Sequence, residues 1–170
     1  MKKPFPGEYN PYFDRYISLV PDGDFNALLN ENTATAISFF ESIPAEKHDY
    51  RYANNKWSIR ETLMHIIDTE RVMSYRALVA IRKDAGAVLS NMDENHYAAN
   101  ADVTGRSLAS LVGEFAAVRS ATTALYEHIT EERSTFKIMG PTHPFTASAL
   151  GYIMIGHVIH HFNIVTERYL

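Results

Sequence analysis

Residues 57–81 read WSIRETLMHIIDTERVMSYRALVAI. Ser58 and Glu61 stand three apart just before an apolar run, with Trp57 as a large apolar residue ahead of them, the signature of a capped helix start. Ile59, Leu63, Ile66, Ile67, Met73, Ala77, Ala80 and Ile81 then recur at helical spacing, carrying the pattern towards Lys83–Gly86. The spacing predicts a long amphipathic helix over 58–85 that buries one stripe and needs other helices to cover it.

Three further stretches supply that cover. Asp24 caps a helix through Phe25, Leu28, Leu29, Ala36, Ile37 and Phe40 to Ile43, where Pro44 ends it. Ser107 opens a third through Leu108, Leu111, Val112, Phe115, Val118, Leu125 and Ile129. Thr146 or Ser148 opens a fourth through Leu150, Ile153, Met154, His157, His161, Ile164 and Val165. Four capped stripes at 24–43, 58–85, 107–130 and 146–166, with no strand-like alternation, predict an all-α four-helix bundle. Its long connections leave room for a crossover. Residues 1–22, rich in Pro and in Tyr9, Tyr12, Phe13 and Tyr16, read as an extended arm packed on the body, with a short helical turn over Tyr12–Leu19. Residues 87–106 and 130–144 read as loops, and the first is long enough to suggest a function. The segment around Asn91–Asn100 is expected to roof a pocket, with Asp93, His96 or Tyr97 near its mouth.

With 170 residues the chain fits one domain, 1–170, and can bury a substantial core unaided. Sixteen Lys and Arg against 20 Asp and Glu give a net charge of −4, without the basic footprint of a nucleic-acid binder. The longest apolar stretch, Ala147–Ile155, falls short of the ~20 residues that span a bilayer. Pro4, Pro6, Gly7 and Glu8 stand where a signal peptide would be apolar. No cysteine is present, which excludes disulfides, zinc–thiolate sites and a cysteine nucleophile and fits a reducing cytoplasm.

The eight histidines are the unusual feature of the composition. His157 and His161 are four apart, about 40° apart on the helical wheel, and both fall on the buried stripe of the fourth helix. Two imidazoles in that relation can grip one metal ion, as in H-E-x-x-H helices. His160 rotates away and is the weaker candidate. His65, between Leu63 and Ile66, offers a third ligand, and Asp68 three residues on could accept from its other ring nitrogen. The competing reading is a set of core histidines hydrogen-bonded to other helices. Glu61 closes the capping box, Glu70 and Arg71 read as a partly exposed charged patch, and His48, His96, His128 and His143 carry no role. Three imidazoles leave coordination positions open, as catalytic sites do. The choice among zinc, nickel, copper and iron does not follow from histidine ligation. A metal- or ligand-holding protein without catalysis, and an interaction protein with a polar core, are the alternatives to an enzyme.

Trp57-Ser58-x-x-Glu61-x-x-x-His65-x-x-Asp68-x-Glu70 on one helix and His157-x-x-His160-His161 on the last resemble the DinB/YfiT-like superfamily of metal-dependent enzymes, in its Bacteroidetes-type branch. The similarity runs from Tyr9-Asn10-Pro11-Tyr12 through Asp93-Glu94-Asn95 to Glu167-Arg168-Tyr169-Leu170. The resemblance implies a four-helix bundle, a nickel or zinc site on His65, His157 and His161, and a homodimer. It also implies hydrolase chemistry, or S-transfer with a low-molecular-weight thiol. Many relatives carry an acidic residue where this chain has Val158, which removes one candidate acid–base group.

Overall fold

The computed structural model describes residues 1–170. Side-chain caps fix where the long helices begin. Asp24 accepts from the Ala27 amide and opens α2 (Phe25–Glu41), after the short α1 (Asp14–Ile17) of the arm. Ser58 and Glu61 form the complete capping box of α3 (Ile59–Ile81). Between them and the next long helix lies a seven-residue α4 (Glu94–Asn100), capped by Asp93. Ser107 caps α5 (Leu108–Tyr126), Thr130 caps α6 (Glu131–Ser134), and Thr146 caps α7 (Ala147–Arg168).

The four-helix bundle is formed by α2, α3, α5 and α7. Both connections expected to be plain loops hold structure. The 87–106 segment contains α4, because Asp93 satisfies two of its first amides, those of Asn95 and His96. The 130–144 segment contains α6 and leads into a two-stranded antiparallel hairpin, β1 (Lys137–Met139) with β2 (Pro144–Thr146), Ile138 facing Phe145. Three-residue strands are too short to show alternation, which is why the sequence reads there as loop.

Packing order differs from chain order. Helix α3 lies against α5 and α7, and α2 lies against the same two helices. Consecutive α2 and α3 therefore sit across the bundle diagonal, and residues 42–58 carry the chain over its end.

Two apolar clusters fill the interior. One gathers Phe25, Leu29, Met73, Ala77, Tyr126, Leu150 and Ile153. The other gathers Ala36, Phe40, Leu63, Ile67, Leu111, Phe115, Val158 and Val165. Each long helix passes from one cluster to the other through a polar residue: Asn32 on α2, Glu70 on α3, Arg119 on α5 and His157 on α7. Arg119 is fully buried. Its Nε donates to Glu70 Oε2 at 2.9 Å and its Nη1 to Asn32 Oδ1 at 2.9 Å. Its guanidinium also lies over the Phe115 ring. Glu70 is thus a core residue 2% exposed and paired with Arg119, not part of an exposed patch. Arg71 does lie at the surface, paired with Asp68 and Glu114. On α5 the buried stripe runs Phe115, Arg119, Thr122, Tyr126, while Val118 and Leu125 sit half-exposed at its flank.

The arm is bonded into this body. Its Glu8 carbonyl accepts from the Thr146 amide at 3.1 Å, and the Lys2 carbonyl accepts from Ser148 Oγ at 2.5 Å. A 3-10 turn (Pro11–Phe13) and α1 then lie along α7, in the region where the short helical turn was expected. Gly156 makes that approach feasible: a Cβ there would stand 2.0 Å from the Tyr16 carbonyl oxygen. Gly156→Ala should therefore lower stability by about 1–3 kcal/mol, as overpacking does. Limited proteolysis should then cut within residues 5–20 of the variant and spare them in the parent protein. Arg119→Met leaves a lone buried carboxylate and should cost about 3–5 kcal/mol in urea unfolding. The double change Glu70→Met/Arg119→Met should recover most of that loss.

Candidate metal centre

Three histidines meet beside the polar level of the bundle. His65 comes from α3, while His157 and His161 come from successive turns of α7, the helix most closely packed on it. His157 Nε2 lies 3.0 Å from His65 Nε2 and 3.0 Å from His161 Nε2. One nitrogen of each ring lies within 4.8 Å of the others. His160 is half-buried on the neighbouring face and rests its ring against Tyr16, outside this group.

All three side chains are withdrawn from water, and burial holds each in its neutral form. The His65 pKa is pushed down to about 4, chiefly by desolvation. Those of His157 and His161 lie well below the usual histidine value, first from desolvation and then from neighbouring imidazoles. Neutral rings cannot satisfy one another in this arrangement. A ring nitrogen carries either one proton or one lone pair, yet His157 Nε2 faces two neighbours at hydrogen-bond distance. His65 Nδ1 is also buried without any partner. A cation at the focus of the three nitrogens removes the conflict. Ligand nitrogens about 2.0–2.1 Å from a tetrahedral ion stand roughly 3.3 Å apart, close to the 3.0 Å of the two pairs that share His157. The donor set fits a divalent transition ion.

The centre opens into a cavity of about 420 Å³. The arm supplies Tyr12, Phe13 and Tyr16 to its wall, α3 supplies Thr69, Met73 and Arg76, and α7 supplies Ile153. Trp57 lies against His65 with ring centroids 4.6 Å apart, and Tyr16 presents its ring edge-on to His157 at 5.2 Å. The 87–106 segment reaches the cavity as expected, but through Asn91, Met92 and Glu94. Asp93 is occupied in capping α4, and Tyr97 faces a separate depression beside Val88 and Leu89. Asp68 pairs with Arg71 instead of His65, since three residues along α3 carry it to the half-exposed flank.

Residues 28–165 match the sequence model of the DinB superfamily. The chain belongs to that superfamily. YfiT from Bacillus subtilis, described as a "probable metal-dependent hydrolase with an unusual four-helix bundle topology", superposes with a TM-score of 0.75. The match covers 98% of this chain and 90% of that one at 17% identity, a likeness of fold. No curated protein matches the sequence. This DinB-superfamily bundle has no helix long and apolar enough to cross a membrane.

Arg76 and Arg119 are the residues that sequence reasoning missed. Their signal was a charge on a buried stripe: His65, Thr69, Met73 and Arg76 follow one another at steps of four, four and three.

The depressed histidine pKa values carry a consequence for the metal-free protein. Folding favours the neutral rings, so their contribution is complete above the unfolded value near 6.5 and is lost as pH falls towards 4. Urea unfolding of chelator-treated protein should show stability dropping across that window, and His157→Leu should flatten the dependence.

Proposed function

We propose that this chain is a single-domain metal-dependent enzyme acting on a small molecule, with His65, His157 and His161 holding one divalent transition ion. The observation that carries the reading is the convergence of three neutral, buried imidazole nitrogens on a cavity wall. A bound ion there would supply Lewis acidity, drawing the pKa of a water or thiol beside it towards neutrality. The protein's own groups do the rest. His157 and His161 are held one turn apart by α7, His65 is pressed into place by Trp57, and the Tyr16 edge limits how His157 can swing. The arm aromatics keep bulk water from one side of the cavity.

The ion is nickel or zinc, and the reaction is hydrolysis or transfer to a low-molecular-weight thiol. Family resemblance supports both assignments, and the histidine donor set suits either ion without choosing between them. We place the protein in the cytoplasm, in keeping with its lack of cysteine. We also assign it as a homodimer, on family resemblance and on exposed aromatics such as Phe5, Tyr50 and Tyr75.

Elemental analysis of the untagged protein after incubation with zinc or nickel should give one ion per chain. His157→Ala should abolish binding and His160→Ala should retain it. Equal loss from both, or full occupancy in the His65/His157/His161 triple alanine variant, would overturn the reading. Turnover of ester or electrophile substrates with and without added thiol then separates hydrolysis from transfer.

A further inference from the structure

Arg76 sits on α3 in line with His65 and Thr69, on the wall of the same cavity, and is 5% exposed. Four arginines of this chain are buried or half-buried: Arg60, Arg76, Arg106 and Arg119. Three of them face carboxylates, Arg60 on Asp49, Arg106 on Glu114 and Arg119 on Glu70. Arg76 has none. Its Nη2 donates to the Ser90 carbonyl at 2.7 Å, and its Nη1 has only the Met73 sulfur at 3.7 Å. Burial lowers its pKa, and no neighbouring charge offsets that effect. Glu94, the carboxylate on the cavity wall, is exposed at the rim and does not reach it.

An unpaired guanidinium withdrawn from water is unfavourable unless an anion completes it, and its planar fork matches a carboxylate or phosphate. The bond to the Ser90 carbonyl ties the fork to the 87–106 segment, and Arg76 lines both this cavity and the neighbouring depression that Ser90 borders. The eleven residues from His65 to Arg76 advance about 16 Å along one face, and the arginine side chain leans back towards the helix N-terminus. Apolar side chains, Met73, Ile153, Phe13 and Tyr12, lie around the cavity that the two poles share.

We propose that Arg76 is the anion-recognition residue of this cavity, so that the substrate is a small organic acid: an apolar body with a carboxylate- or phosphate-type group at the end away from the histidines. The assignment of this acid as substrate rests on the metal-enzyme reading above, whereas anion binding at Arg76 does not require the metal.

Trp57, the single tryptophan, lines the cavity and reports occupancy by fluorescence. Metal-free and zinc-loaded full-length protein should be titrated with hexanoate, hexyl phosphate and hexan-1-ol. At least one acid should bind about tenfold more tightly than the alcohol in both forms, the gain expected of a charge-assisted hydrogen bond. The better acid identifies the oxyanion. Arg76→Gln should bring acid affinity down to that of the alcohol and leave zinc stoichiometry unchanged. Equal affinity for acid in Arg76→Gln and parent, or an acid-to-alcohol ratio near one in the parent, overturns the assignment. Should Arg76→Gln fail to fold, that ratio in the parent chain decides alone. Loss of zinc binding with retained acid preference would remove the metal reading and leave the anion site standing.

Discussion

The buried contact of Arg119 with Glu70 and Asn32 is the constraint around which this bundle is arranged. Apolar side chains tolerate sliding, because one leucine contact resembles the next. A guanidinium in the core does not. Its partners on α2 and α3 meet it at one axial level and one rotation, and a slip of one residue turns a helix by about 100° and strands the charge in hydrocarbon. Buried pairs of this kind contribute little net stability relative to an apolar replacement, so the effect of this one lies in alignment. With α2, α3 and α5 aligned, α7 packs with His157 at the same level, and His65 and His161 follow.

That alignment explains why the histidine cluster can persist in neutral, mutually unsatisfied form. Two well-packed apolar clusters lie on either side of it, and the groove between α3 and α7 is closed by residues of the arm. The arm gains its position from hydrogen bonds of its Glu8 and Lys2 carbonyls to the β2–α7 junction and from the Gly156 gap, so the cavity wall depends on residues far from it in sequence. Polar groups left incompletely satisfied line this wall: the unpartnered His65 Nδ1, the three converging nitrogens, and an Arg76 guanidinium that has a carbonyl and a sulfur but no carboxylate.

The helices were legible because their caps are chemical signals written locally. Asp24, Ser58, Ser107 and Thr146 each accept the amide bond that their position in the sequence implies. The His157–His161 pair was legible for a similar reason, being one turn on one stripe, and His65 announced itself inside the strongest apolar pattern of the chain. What escaped was whatever depends on a partner elsewhere. Arg119, Glu70 and Arg76 look like surface charges until the opposing helix is known. Asp68 lies within hydrogen-bonding distance along the sequence but on the wrong side of the helix. The α4 helix hid in a polar segment because it buries none of its residues, and the hairpin hid because three-residue strands have no period.

The diagonal placement of α2 and α3 also governs the order in which the structure can assemble. In an up-and-down bundle the first two helices dock as soon as both exist. Here neither covers the other, and each waits for α5 and α7, so the contacts between the long helices join parts of the chain well separated in sequence. Chains dominated by such contacts fold more slowly than local helical hairpins. On the ribosome, α5 becomes available to cover part of α2 and α3 first, and the faces that they turn to α7 stay uncovered until that last of the four long helices is made. The core is thus completed only when α7 packs, and that one helix brings both the last packing surface and two of the three histidines.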